Sequence, residues 1–242
     1  MQFFDRMVDG YDWDERTNAF EQQRRLRLVF DALLAPGDLR GRTLLDGGSG
    51  GGHFSAVAAA RGAAVTSLDV GAHLLAQVKQ RCDSRRVIGS ILRLPFADHS
   101  FDVVLSSEVI EHTPDPERGV RELCRAVRPG GVLVLTSPNR LWQPVVRLAT
   151  ATRLRHYAGY ENFLWARRAR RVVREAGLVV DRFLGCNLLP LFQPAFEPLL
   201  AYADRTLGER LPDAFVNFAI RAHRPAASPA AHDGLTLVGR AR

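Results

Sequence analysis

The chain has 242 residues, with 33 Lys and Arg against 26 Asp and Glu, a formal net charge of +7 and 46% hydrophobic residues. That apolar fraction can supply a sizeable core and excludes wholesale disorder, while 20 Gly and 13 Pro without period exclude a collagen-like or low-complexity chain. Three distant cysteines, Cys82, Cys124 and Cys186, offer neither a disulfide framework nor a CxxC metal site, so a cytoplasmic location is expected.

The opening MQFFDRMVDGYDWDER mixes acids and aromatics and lacks the apolar stretch of a secretory signal. Residues 20–34 then place Leu26, Phe30, Leu33 and Leu34 on one helical face, and Pro36-Gly37 stops the helix. From there short apolar runs alternate with helical stretches: strands at 43–46, 64–69, 86–88, 101–106 and 132–136, helices at 54–61, 72–82 and 118–127. Arg128-Pro129-Gly130-Gly131 reads as a turn before the last of these strands. Buried strands separated by helices predict an α/β doubly wound, mostly parallel sheet with helices on both faces.

Beyond Pro138 the alternation is interrupted by residues 139–160, followed by a helix near 163–176 that ends at Gly177 and a strand at 178–183. A proline-punctuated insertion at 185–210 contains a helix near 198–209, and 214–222 is strand-like. The expected organisation is one domain over 1–224, with an N-terminal helical cap (1–36) and lid insertions (139–160 and 185–210), then a flexible tail at 225–242. Residues 183–203 carry Glu197 as their sole charge, but Pro190, Pro194 and Pro198 break them, so no transmembrane segment is expected.

The basic excess is uneven. Residues 140–174 hold nine arginines against Glu161 alone, whereas residues 1–39 are net acidic. A solvated helix face explains such a run, and attraction of an anionic substrate, a membrane surface or RNA is the alternative. The sequence contains no RNP-like aromatic motif or zinc knuckle, which disfavours nucleic acid as a partner. Oligomeric state is not encoded in any spacing.

The first strand empties into Asp46-Gly47-Gly48-Ser49-Gly50-Gly51-Gly52-His53. Glycines at 48, 50 and 52 permit a tight turn and close backbone approach, and the helix that follows points its amide donors at whatever binds there. Neither register of the loop completes GxGxxG, so a dinucleotide fingerprint does not fit. The second strand ends in Asp69, whose carboxylate can accept from both hydroxyls of a ribose; a lone aspartate there would otherwise read as a helix cap.

LLDGGSGGG, SLDVG, LRLPFADHSFDVVLSSEVIEHTPDP and RAVRPGGVLVLTSPNR together resemble the ordered motifs of class I S-adenosylmethionine-dependent methyltransferases, in the small-molecule branch that contains the ubiquinone-biosynthesis O-methyltransferases. The resemblance implies a Rossmann-like seven-stranded sheet closed by an antiparallel last strand. It also implies that Asp46 supports the loop, that Gly48, Gly50 and Gly52 lie against the methionine portion of S-adenosylmethionine, and that Asp69 holds the ribose. Ser90 stands where relatives have an acid facing the adenine amine, and Ile91 would pack on the ring. Ser106 and Ser107 fall beside the sulfonium, and Arg27 resembles the place where some relatives hold the cofactor carboxylate. S-adenosylhomocysteine would be the product.

Methyl transfer to oxygen or nitrogen requires alignment of donor and acceptor and removal of the acceptor's proton. Glu108-Val109-Ile110-Glu111-His112 follows the fourth strand, with His112 the candidate base and Glu111 its orienting partner; a structural hydrogen bond closing the loop is the other reading of His112. ExxEH also resembles the metal-binding signature of certain family members, in which Glu108, Glu111 and His112, with His156 as a fourth ligand, would hold a divalent ion; the metal-free acid–base role is favoured. Tyr11, Trp13 and Arg16, residues 142–160 and residues 188–202 are expected to shape the acceptor pocket, with Trp142, Phe192 and Phe196 in its wall or in the lid core. Their composition suits a small apolar or aromatic acceptor, with or without an anionic group for the nearby arginines, such as a natural product, quinone precursor or sugar derivative. An RNA-end or lipid methyltransferase, or a noncatalytic cofactor-binding interaction domain, are the rival readings.

Overall fold

The computed structural model describes residues 19–153, 159–188 and 194–226. Its centre is a seven-stranded sheet in the order β3-β2-β1-β4-β5-β7-β6. The strands are β1 (Thr43–Gly47), β2 (Ala64–Asp69), β3 (Arg85–Ile88), β4 (Phe101–Ser107), β5 (Val127–Pro138), β6 (Val179–Cys186) and β7 (Asn217–His223). β7 runs antiparallel to both β5 and β6, and the other neighbouring pairs are parallel. The helices are α1 (Ala19–Arg27), α2 (His53–Ala60), α3 (Ala72–Arg81), α4 (Pro116–Ala126), α5 (Gln143–Ala151), α6 (Ala166–Glu175) and α7 (Glu197–Leu207).

Strand periodicity divides the core into two layers. Leu45, Val104, Leu133 and Leu135 point to the face covered by α4 and α6 with Leu123, Val172 and Val173. Their neighbours Leu44, Val103, Leu105 and Val134 point to the opposite face, with Phe30, Leu33 and Ala58. All the strand residues named are at most 1% exposed, which is why the strands read as continuous apolar runs rather than alternating ones.

Most expected boundaries hold within a few residues, and the departures have local causes. The first helix is α-helical only to Arg27 and continues as a π-helical stretch over Leu28–Leu33, which buries Val29 together with Phe30 and Leu33. The expected turn at 128–131 is absorbed into β5. Val127 still pairs with Phe101 while Val132 pairs with Val103, so the intervening residues bulge out, with Gly130 at φ 75°. α4 starts earlier than expected because Asp115 caps it, accepting from Arg118 N at 3.0 Å, and Pro116 occupies the first turn. α6 starts later because Leu164 bridges to Asn139.

The cap and one lid are tied together by charge. Arg24, whose side chain is only 9% exposed, donates to Glu197 at 3.1 Å and Asp204 at 2.6 Å, so α7 is fastened over α1. In the arginine-rich stretch Arg167 pairs with Asp213, and Arg168 with Glu117 and Glu175, so part of its charge is neutralised by acids from elsewhere in the chain. Among the described residues no helix is long and apolar enough to cross a membrane. Tyr11, Trp13, Arg16, His156, Phe192 and the expected tail beyond residue 226 lie outside the described residues.

Candidate active site

The carboxyl ends of β1, β2 and β4 meet at one edge of the sheet, where a doubly wound fold opens its ligand crevice. Asp46, 2% exposed, accepts from Ser55 Oγ at 2.6 Å and so ties the start of the glycine loop to α2. Burial pushes its carboxyl up to about 6 against the opposing hydrogen bond from Ser55. Gly48 adopts φ 84°, and a Cβ there would run into both methyls of Val109. The glycine loop is thus in direct contact with the turn that carries Glu108 and Glu111. Gly52 closes the loop against Val78 of α3, whereas a Cβ on Gly50 would meet nothing within 4 Å, so the open side of the loop is at Gly50.

Asp69 sits beside that open side. Its Oδ2 accepts from Gly50 N and its Oδ1 from Gly71 N, both at 2.9 Å, which pins the carboxylate and leaves each oxygen a further lone pair. Burial raises its pKa, and the amides of Gly71 and Gly50 work in the other direction. Two buried polar atoms in the same wall have no hydrogen-bond partner among the described residues: Ser49 Oγ in the loop and His73 Nε2 in the first turn of α3. Native interiors rarely leave such atoms unpaired. An open glycine turn, an anchored carboxylate and two orphaned polar atoms together fit a ligand with the hydroxyls and polar edges of a nucleoside.

The other expected contact residues have partners within the chain. Ser106 is fully buried and donates to Gly47 O at 2.8 Å, bracing the loop from beneath. Ser107 Oγ pairs with Thr136 Oγ1 at 2.8 Å. Ser90 caps its own turn by accepting from Leu92 N at 3.2 Å. Ile91 is 4% exposed, with its side chain against Gly47 and Gly119. Arg27 donates to Glu197 at 3.0 Å with half of its side chain exposed; the arginine of α1 that comes near the site acids is Arg25.

On the other side of Val109 the acids are held individually. Glu108 has the left-handed φ of 56°, an uncommon backbone for a non-glycine residue; its Oε1 accepts from Thr136 Oγ1 at 2.9 Å and its Oε2 from Asn217 Nδ2 at 2.7 Å. Glu111, 2% exposed, accepts from Ser137 Oγ at 3.1 Å. Desolvation pushes both carboxyls up to about 8, reinforced at Glu108 by the neighbouring Glu111 and opposed at each by Arg25. His112 Nδ1 lies 3.2 Å from the carbonyl of Tyr160 and its Nε2 lies 3.9 Å from Glu111 Oε1. A carbonyl only accepts, so Nδ1 carries the proton of that hydrogen bond. The orienting group on Nδ1 is therefore the Tyr160 backbone, not Glu111.

Among the described residues no three His, Cys, Asp or Glu side chains converge in a metal-holding arrangement, and the oxygens of Glu108 are committed to Thr136 and Asn217. As placed, Glu108, Glu111 and His112 do not fit a divalent ion. The sequence reading missed Ser49, His73, Arg25 and the Thr136 and Asn217 clamp. Only His73, a polar residue in the first turn after the second strand, left a signal that could have been read.

Comparison with known proteins agrees with this architecture. The methyltransferase-domain family matches residues 45–135. A ubiquinone biosynthesis O-methyltransferase of Methylobacterium sp. is 32% identical over 205 residues, covering 80% of this chain and 77% of that protein. An uncharacterized methyltransferase of Mycobacterium sp. is 44% identical over 97 residues, covering 40% of this chain and 38% of the relative's own length. Among solved structures, a SAM-dependent methyltransferase of Thermotoga maritima superimposes with a TM-score of 0.66 at 17% identity, covering 92% of this chain and 98% of that one, a likeness of fold. The chain belongs to the class I S-adenosylmethionine-dependent methyltransferase family and is related to its ubiquinone-biosynthesis O-methyltransferases.

Proposed function

We propose that this protein moves a methyl group from S-adenosylmethionine to a hydroxyl of a small apolar or aromatic metabolite. The observation that carries the reading is the contact of Gly48 with Val109, which joins a nucleoside-type cradle to a turn bearing His112 beside two buried carboxyls, Glu108 and Glu111. S-adenosylmethionine supplies a methyl already activated by positive sulfur, so the protein's part is alignment and proton removal. Asp69 receives the ribose hydroxyls, and Ser49 and His73 gain the partners they lack. His112 takes the acceptor's proton on Nε2 while Tyr160 holds Nδ1, and Glu111 Oε1 lies 3.9 Å from Nε2. Oxygen is favoured over nitrogen because the relative matched over most of the chain is named as an O-methyltransferase.

The test is calorimetric titration of S-adenosylmethionine and S-adenosylhomocysteine into the wild type and Asp69→Ala, followed by transfer of labelled methyl to a panel of hydroxylated aromatic acceptors. Saturable binding that Asp69→Ala weakens, with label appearing on a hydroxyl, is the expected result. Absence of binding to either nucleoside would remove the reading.

A further inference from the structure

Arg24 closes the cap helix on the lid helix, donating to Glu197 at 3.1 Å and to Asp204 Oδ2 at 2.6 Å. The hydrogen bonds do not stop there. Asp204 Oδ1 accepts from the backbone N–H of Asn187 at 3.0 Å, and the Asn187 side chain donates to Asn217 Oδ1 at 3.3 Å. Asn217 Nδ2 in turn donates to Glu108 Oε2 at 2.7 Å, and Thr136 Oγ1 to Glu108 Oε1 at 2.9 Å. One run of hydrogen bonds thus leads from α1 through α7, the residue after β6 and the first residue of β7 to the turn after β4.

The links are held on several sides. Asn187 and Asn217 are each 6% exposed, and a buried amide is costly unless its partners are in place, so neither side chain can turn away without stranding polar atoms. Asn187 donates its N–H to Asp204, accepts on its carbonyl from Val216 N at 2.9 Å and reaches Asn217 with its side chain. Both Asn187, at φ 60°, and Glu108, at φ 56°, have left-handed backbones, which non-glycine residues keep where their surroundings fix them. At the far end Glu108 N also donates to Thr136 O at 3.0 Å, and the next residue, Val109, is the one that meets Gly48. A shift of Glu108 therefore moves Val109 and the turn that leads to His112.

We propose that Asn187 and Asn217 are positioning residues of this site, which couple the Arg24 clamp between α1 and α7 to the setting of Glu108 and the turn it begins. Closing the lid helix on the cap and setting that turn are then one event. What the turn does in methyl transfer rests on the reading above, whereas the coupling itself is measured without turnover. Buried side-chain networks carry coupling of this kind, and a double-mutant cycle isolates it.

The test follows the side-chain amide signal of Asn217 in nitrogen-15 spectra of the full chain, because that amide reports the bond to Glu108. Asn187→Gly cuts the run cleanly: glycine adopts φ 60° without strain and keeps the backbone N–H and carbonyl, so only the link to Asn217 is lost. Arg24→Gln should shift the Asn217 signal in the wild-type background and leave it in place in Asn187→Gly. Asp204→Asn keeps an acceptor for Asn187 N and removes the charge that Arg24 meets, so it opens the clamp more mildly if Arg24→Gln does not fold. An Asn217 signal that ignores the opened clamp would overturn the proposal. So would a shift as large in Asn187→Gly as in the wild type, since the coupling would then run by another route. In the labelled-methyl assay Asn187→Gly should lower kcat about 3–10-fold at unchanged KM for S-adenosylmethionine, and a wild-type kcat would overturn the positioning role. Failure of the wild type to transfer methyl at all would instead remove the methyltransferase reading, and the Asn217 signal would still decide the coupling.

Discussion

Gly48 and Val109 close against each other at the mouth of the crevice, so the loop after β1 and the turn after β4 are set by one contact. Two costs therefore meet at this position: a left-handed backbone at φ 84°, and Val109 methyls where a Cβ would go. Gly48→Ala is expected to destabilise the fold by about 2–4 kcal/mol, with the steric part recovered in a Val109→Ala background and the backbone part retained. Gly50→Ala, at φ 51° with open space around it, should cost only about 1–2 kcal/mol while weakening nucleoside binding. Urea unfolding of the four variants measures this. A Gly48→Ala midpoint equal to that of the wild type would show that the two loops are not in contact.

His112→Ala should lower turnover by about 10²–10⁴-fold without changing affinity for S-adenosylhomocysteine. His112→Gln separates base from brace, because its amide can still donate to the Tyr160 carbonyl but cannot take up a proton. Steady-state kinetics together with calorimetry decide the matter. A Gln variant with wild-type turnover would leave His112 a structural hydrogen bond only.

Glu111 gives a pH-dependent stability with a definite sign. Its folded pKa of about 8 lies above the ordinary 4.5, so between those values the folded state binds more protons than the unfolded chain. Stability from this group is present at low pH and declines as pH rises from about 4.5 to 8. Glu111→Gln keeps the acceptor for Ser137 and removes the charge. It should therefore be neutral at pH 5 and raise the melting temperature at pH 8.5 by a few degrees, on the order of 1–2 kcal/mol. Thermal unfolding at the two pH values is the measurement, and a variant equally stable to wild type at both would mean that Glu111 is not held protonated.

Asp102, at the amino end of β4 and away from the crevice, titrates in the opposite sense. Burial alone would raise its pKa. The backbone and hydroxyl of Thr43, at 2.9 and 2.8 Å, together with Arg42 at 3.0 Å and Arg128, outweigh that and lower it. Its contribution is present above the ordinary 3.8 and is lost as pH falls through the lowered value. Asp102→Asn should cost about 2–4 kcal/mol near neutral pH and little in acid, with methyl transfer by the folded variant unchanged. Denaturation at pH 7 and pH 3 tests this, and an equal loss at both would locate the effect in packing rather than charge.

Strand positions and their cover on both faces were legible early because they rest on local periodicity. Runs such as Leu44-Leu45 and Val103-Val104-Leu105 are apolar at every position, which only a strand covered on both faces tolerates. Asp46, the glycine loop and Asp69 were legible for a similar reason: each lies at a strand end, and the strand delivers it to the crevice whatever the rest of the chain does. The direction of Ile91 was not legible, because three consecutive residues after a strand can turn either way; its side chain lies against Gly47 and Gly119.

The sequence alone determined the doubly wound fold, the glycine loop after β1 and the turn after β4 that carries Glu108, Glu111 and His112, since these follow from hydrophobic period and from residues adjacent along the chain. Only the tertiary structure decided which partner each charged group meets. Arg24, Arg25 and Arg27 differ by one or two positions and are chemically identical. The clamp from Glu197 and Asp204, some 170–180 residues away, takes the first and last and leaves Arg25 Nε without a hydrogen-bond partner among the described residues. Likewise Tyr160 rather than Glu111 orients His112, and Thr136 and Asn217 hold Glu108 at a backbone angle it would not otherwise adopt. Hydrogen bonds and ion pairs act over a few ångströms, and which groups come that close is a property of the folded chain, not of its spacing.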